Sequence, residues 1–229
     1  MTHTLHRHGT PESLKDDFVW LMYQAKGIND RDIAPKARAF VKAAEAAGCT
    51  NWGDVKSGSV VQLTAEEIKA RLGDKSRVRG VFTSAGQVAA FLREVRRKDL
   101  GISVVISGLL DEVLGACREA GVTPHTINYS LGIWGRKDLL PGDTVLAITT
   151  MCGHHMISPG QVRQAVADIR RGRTTSERAA RRMGAFCPCG VFNHTRAARL
   201  LQQLADEAEA AEAKAPAEAE TEAKGGATA

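Results

Sequence analysis

Between Val78 and Gly121 the chain alternates twice between a short β-prone run and an amphipathic segment of helix length, which constrains the fold more than any other feature. Val78 to Thr83 is the first run. Ser84-Ala-Gly-Gln87 then offers a helix cap, and Val88, Phe91, Leu92 and Val95 fall on one face of the helix it opens. Ile102 to Ile106 is the second run, with Ser107 placed to cap a helix that turns Leu110, Val113, Leu114 and Cys117 inward and stops at Gly121. His125 to Leu131 and Thr144 to Thr149 read as further strands, divided by a Pro141-Gly142-Asp143 turn. Strands that alternate with helices in this way predict an α/β fold: a small, mainly parallel sheet of about four strands, a βαβαβ-like core flanked by helices.

The flanks read as helical. Leu14, Phe18, Leu21, Met22 and Ala25 are spaced for a helix over Glu12 to Lys26. Pro35 fits the first turn of a second helix that ends at Gly48, Asn51 to Gly58 reads as a loop, and Thr64-Ala-Glu-Glu67 is a capping box for a third helix. After the core, Ser158-Pro159 opens a helix, Thr174-Thr-Ser-Glu177 opens an Arg-rich one, and Asn193 caps a last one through Leu204. The expected division is a helical segment over 1–74, the α/β core over 75–150, a helical segment with Cys/His loops over 151–205, and a disordered tail over 206–229. That tail has no large apolar residue to offset the entropy of ordering.

Two stretches of the third segment carry the chemistry: Met151-Cys-Gly-His-His-Met156 and Phe186-Cys-Pro-Cys-Gly190. They hold three of the five cysteines and two of the seven histidines. Both stretches read as loops rich in Gly, His and Pro, which is poor core material, and Cys and His are the ligands of soft and borderline metals. Cys152, Cys187 and Cys189 are the expected cofactor ligands, with His154 or His155 as fourth ligand or acid/base group and His194 as a further ligand candidate. Three cysteines are compatible with a [4Fe–4S] cluster with one open iron, and Cys₃His with Zn2+. Cys49 and Cys117 read as small buried hydrophobes. The N-terminal His3, His6 and His8 form a weaker cluster, and Tyr129, Trp134 and Arg136 are candidates to line a pocket beside the metal.

Charge and composition bound the function. From Asp206 on, seven acids and two lysines carry −5, so residues 1–205 carry +10 against +5 overall. A basic body suits a small anionic molecule; without aromatics interleaved among the basic residues, nucleic acid is not the expected ligand. No apolar run reaches the ~18 residues of a membrane span and no apolar signal segment stands at the N-terminus, so a cytoplasmic protein is expected. The leading expectation is a metal- or [4Fe–4S]-dependent enzyme of hydro-lyase type, since an open iron is a Lewis acid toward hydroxyl and carboxylate groups. The alternatives are a metal-binding accessory, redox-sensing or maturation protein that docks on a partner or on itself, and a zinc-stapled nucleic-acid binder.

Overall fold

Phe18-Val-Trp-Leu-Met-Tyr23 is the strand around which the molecule is built. A computed structural model describes residues 4–225 of the chain, with side chains described to residue 213. Strand β1 (Phe18–Tyr23) sits inside a five-stranded sheet completed by β2 (Asn51–Asp54), β3 (Gly58–Ser59), β4 (Val78–Phe82) and β5 (Ser103–Ser107), in the order β3-β2-β4-β1-β5. Every neighbouring pair is antiparallel. The mainly parallel sheet expected from the sequence is therefore corrected, although the α/β class holds.

The reason is specific. The crossovers read from the sequence exist: α2 (Ile33–Ala46) connects β1 to β2, and α4 (Ala85–Lys98) connects β4 to β5. Each joins two strands that run the same way, but a strand of opposite direction lies between them: β4 between β1 and β2, β1 between β4 and β5. Two interleaved units of this kind make a split βαβ arrangement. Periodicity reports a crossover but not which strand fills the gap.

The missing strand was β1 itself. Its even residues Phe18, Trp20 and Met22 enter one core with α2, α4 and α5 (Leu110–Ala120), and its odd residues Val19 and Leu21 enter a second core on the other face. A strand buried on both faces is apolar throughout and loses its period of two. Of the expected Glu12–Lys26 helix only Glu12–Leu14 is helical, within α1 (Pro11–Leu14). So the N-terminal segment expected to be helical supplies three of the five strands.

Other local expectations are corrected as well. Asn51 to Gly58 is not a loop but the β2–β3 hairpin. Thr144–Thr149 lies in a helix, α6 (Asp143–Thr149), because a short apolar run fits either element. His125–Leu131 forms no strand. Ser107 caps nothing; it closes β5, and its hydroxyl bonds to that of Thr4 at 2.7 Å.

The second face of the sheet carries α6, α7 (Pro159–Arg170), α8 (Ser176–Gly184) and α9 (His194–Gly225), whose core includes Val81, Ile148, Met151, Val162, Met183, Phe192 and Leu201. Where disorder was expected from Asp206, α9 continues as helix to Gly225. Ala, Glu and Lys are strong helix formers, and Gln202–Asp206, Gln203–Glu207 and Arg170–Glu212 bonds support its described part. Residues 226–229, at the end of the expected tail, lie outside the described residues.

Candidate metal centre

Cys152 enters the second core from the end of α6. The last turn of that helix tightens, with Met151 N–H donating to the Ile148 carbonyl and His155 N–H donating to the Cys152 carbonyl at 3.0 Å. His155 takes a left-handed backbone (φ 54°), which is costly outside glycine and marks a tightly constrained turn. The turn folds around the sulfur: the backbone N–H groups of Met156 and His154 both point to Cys152 Sγ.

Cys187 and Cys189 come from the α8–α9 connection. Gly190 N–H donates to the Cys187 carbonyl at 3.1 Å, closing a four-residue turn in which Pro188 fixes the second position. Gly190 has φ +74°, and a Cβ on it would stand 2.2 Å from the Trp52 carbonyl carbon and 2.3 Å from Gly53 N. A Cβ on Gly53 would in turn stand 2.8 Å from the Pro188 carbonyl oxygen. Two glycines facing each other let the cysteine turn rest directly on the backbone of β2.

The two loops converge. Cys187 and Cys189 sulfurs are 3.9 Å apart, Cys189 Sγ is 3.6 Å from His154 Nδ1, and Cys187 hydrogen-bonds Cys152. All three cysteines are buried, whereas His154 is exposed above them. The Cys187 thiol holds its proton well above the usual range because its single S–H is shared with the neighbouring Cys152 and Cys189 sulfurs and burial disfavours its charge. Those bonds bring Cys152 down to about 5 and Cys189 to about 6, against burial that pushes both up. The Arg79 guanidinium on β4 also favours the Cys189 thiolate, and its buried Nε has no hydrogen-bond partner.

The sulfurs are held from behind by a buried polar network that the sequence did not reveal. Arg7 pairs with Asp17 and donates to the carbonyls of Met151 and Val191, one beside each cysteine loop. Asp17 also takes Arg196 at 2.8 Å and Asn193 at 3.1 Å, while Asn193 Oδ1 caps α9 by accepting from Arg196 N–H. Nothing local in the sequence marks Arg7 or Asp17: they pair with each other across ten residues, but their other partners lie more than 140 residues away, and only the apolar context of Phe18 hints that Asp17 is buried.

Of the other candidates, His155 is exposed and its ring enters none of these contacts. His194 lies on the first turn of α9, its Nδ1 buried without a partner and its pKa lowered by burial and by Arg181, outside the sulfur cluster's contacts. His8 pairs with Asp143 at 3.0 Å, and His3 lies outside the described residues. Cys49 is a core thiol between Trp20 Nε1 and the Asn51 and Val81 carbonyls, pushed by burial up to about 11, and Cys117 is buried in the first core. Tyr129, Trp134 and Arg136 are exposed, and among the described residues Trp134 bonds the Leu131 carbonyl and Arg136 bonds Asp138, both within their own segment.

Comparison with protein-family models, with curated proteins and with solved structures gave no match. Among the described residues no helix is long and apolar enough to cross a membrane. Among the same residues no three His, Cys, Asp or Glu side chains already stand around a common point as a bound ion requires. The cluster is thus a convergence of thiols and an imidazole and stops short of a finished cage.

Proposed function

We propose that the protein binds one soft divalent ion, Zn2+ first among them, through Cys152, Cys187, Cys189 and His154. The carrying observation is distance. Metal–sulfur bonds of about 2.3 Å and metal–nitrogen bonds of about 2.0–2.1 Å set around a tetrahedron place sulfurs about 3.8 Å apart and sulfur and nitrogen about 3.5 Å apart. The Cys187–Cys189 and Cys189–His154 separations are 3.9 and 3.6 Å. Ligands of a cubane sit on different irons and must spread much further, so the spacing favours one ion over a [4Fe–4S] cluster. Two backbone N–H groups on Cys152 and the Arg79 charge near Cys189 supply the outer partners that thiolate sites need.

Four protein ligands are the pattern of a closed, structural site, which supports a binding or accessory protein over the hydro-lyase reading. One observation keeps catalysis as a second reading: the sulfurs are buried but His154 is exposed, so it is the ligand able to give way to water or substrate. The partner that suits the charge is a small anion. A cavity of about 430 Å3 is lined by Arg173, Thr174, Arg178, Arg181 and Arg182, and among the described residues only Arg173 of these has an acidic partner, Asp168.

The test is anaerobic purification with elemental analysis, followed by Co2+ replacement. The proposal expects one metal per chain and sulfur-to-cobalt charge-transfer bands that weaken in Cys189→Ala. Iron with acid-labile sulfide would sink the single-ion reading. A His154→Ala protein that keeps its ion would favour the open, catalytic alternative.

A further inference from the structure

Every residue from Thr123 to Leu140 is exposed, among them Ile127, Tyr129, Leu131, Ile133, Trp134, Leu139 and Leu140. Leu131 and Trp134 keep 83% and 80% of their surface in water. The hydrogen bonds of this segment are its own: Gly132 N–H to Ser130, Trp134 Nε1 to the Leu131 carbonyl, Arg136 to Asp138, and the single 3₁₀ turn Lys137–Leu139. Connections this long without structure are uncommon in compact domains. Apolar side chains contiguous on such a connection mark an interaction site.

The segment also has a pattern. Ile127, Tyr129, Leu131 and Ile133 alternate with Thr126, Asn128, Ser130 and Gly132, the period of a half-buried strand. The strand expected there from the sequence is absent from the isolated chain because nothing pairs with it.

An acceptor for such a strand stands on the same chain. β5 bonds to β1 on one side only, and among the described residues no strand pairs with its other edge. Val104, Val105 and Ile106 are half-buried where their β1 partners are fully buried, and beside them α5 leaves Leu110 exposed and Val113 and Leu114 half-buried. Ser103-Val-Val-Ile-Ser107 has no proline, lysine or other charge of the kind that protects an edge from pairing.

We propose that residues 125–133 form a strand added to the β5 edge of a second copy of this chain, with the exchange reciprocal about a two-fold axis. One donor and one acceptor per chain close completely under that symmetry, leaving neither edge nor arm uncovered. The area is sufficient. Tyr129 and Trp134 offer about 150–250 Å2 apiece, and with the aliphatic residues of two arms the total reaches the roughly 1,200–2,000 Å2 of a stable interface.

The experiment is sedimentation of the full chain at micromolar concentration, with hydrogen exchange on the same sample. The proposal expects a dimer and slowed exchange at both 103–107 and 126–131. The double variant Ile127→Asp, Leu131→Asp changes only exposed positions and leaves the monomer's helix content intact. It raises the dimer dissociation constant at least 100-fold and releases both segments together. A Gly/Ser replacement of 126–134 gives the same result. A monomer at all concentrations overturns the proposal, whether the arm is free or folds back in cis. So does a dimer that survives both variants.

Discussion

Three thiols crowded into an apolar core cannot all ionise, because each thiolate disfavours the next and burial disfavours all of them. Here the resolution is uneven: Cys152 and Cys189 ionise near 5 and 6, and Cys187 keeps its proton between them. Ion binding near pH 7 then releases about one thiol proton, where three ordinary thiols with pKa about 8.5 release about three. Calorimetry in buffers of different ionisation enthalpy reads this number directly. As pH falls through 6 and then 5, affinity for the proposed ion drops more steeply with each pH unit, since each ligand thiolate then competes with its own proton. Removal of Cys187 or Cys189 lowers affinity by more than the 10–100-fold that loss of an outer partner costs, as measured by chelator competition. His194 gives a separate pH effect. Burial and Arg181 lower its pKa below the 6.5 of the free side chain, so the unfolded chain takes up the proton more readily. Its contribution to stability is full above pH 6.5 and lost as pH falls through the lowered value. The urea midpoint of His194→Gln therefore depends less on pH, between 7.5 and 5.5, than that of the native chain.

At the scale of elements, the cysteine turn depends on a contact between backbones. A methyl group at Gly190 has no place to go, facing Trp52 and Gly53 at 2.2–2.3 Å from a backbone of φ +74°. Gly190→Ala lifts the turn off β2; the expected loss is about 3 kcal/mol or more in chemical denaturation, with loss of stoichiometric ion binding. Arg7→Ala leaves Asp17 short of a partner and two carbonyls unpaired, a cost of about 3 kcal/mol in the same assay. These elements also show what a sequence can disclose. The caps at Thr64, Ser84, Ser158 and Asn193 located α3 (Ala65–Arg71), α4, α7 and α9, because a cap is decided within four residues. Residue type singles out Cys152, Cys187 and Cys189 as ligand candidates but leaves open whether their two loops meet, because about 35 residues separate them and only the fold brings them together. The direction of β1, the seat of the turn on Gly53 and the network that buries the Arg7–Asp17 pair were not legible, since each depends on residues distant in the chain.

For the whole molecule, the ion would bind only the folded state, in which all four ligands meet. At a free ion concentration 100 times the dissociation constant it adds about 2.7 kcal/mol, roughly 5–10 °C in melting temperature for a chain of this size. Chelation reverses the shift, and Cys187→Ser shows none. The basic body and the arginine-lined cavity remain available on the same face of the sheet, because α8 carries Arg178, Arg181 and Arg182 and ends just before the cysteine turn.

Arg7 reaches the Val191 carbonyl across 184 positions of sequence. During synthesis Asp17 and Met151 are made before Val191 and Arg196, and contacts of such long sequence separation close late because their loop entropy is large. Cys152 is therefore complete on the growing chain well before Cys187 and Cys189 can reach it, and until then any captured ion is held by one sulfur and readily lost. Retention of the proposed ion would therefore wait for the segment from Cys187 into α9, so the thiols would stay open through most of synthesis and the site would close only when Arg7 and Val191 have met.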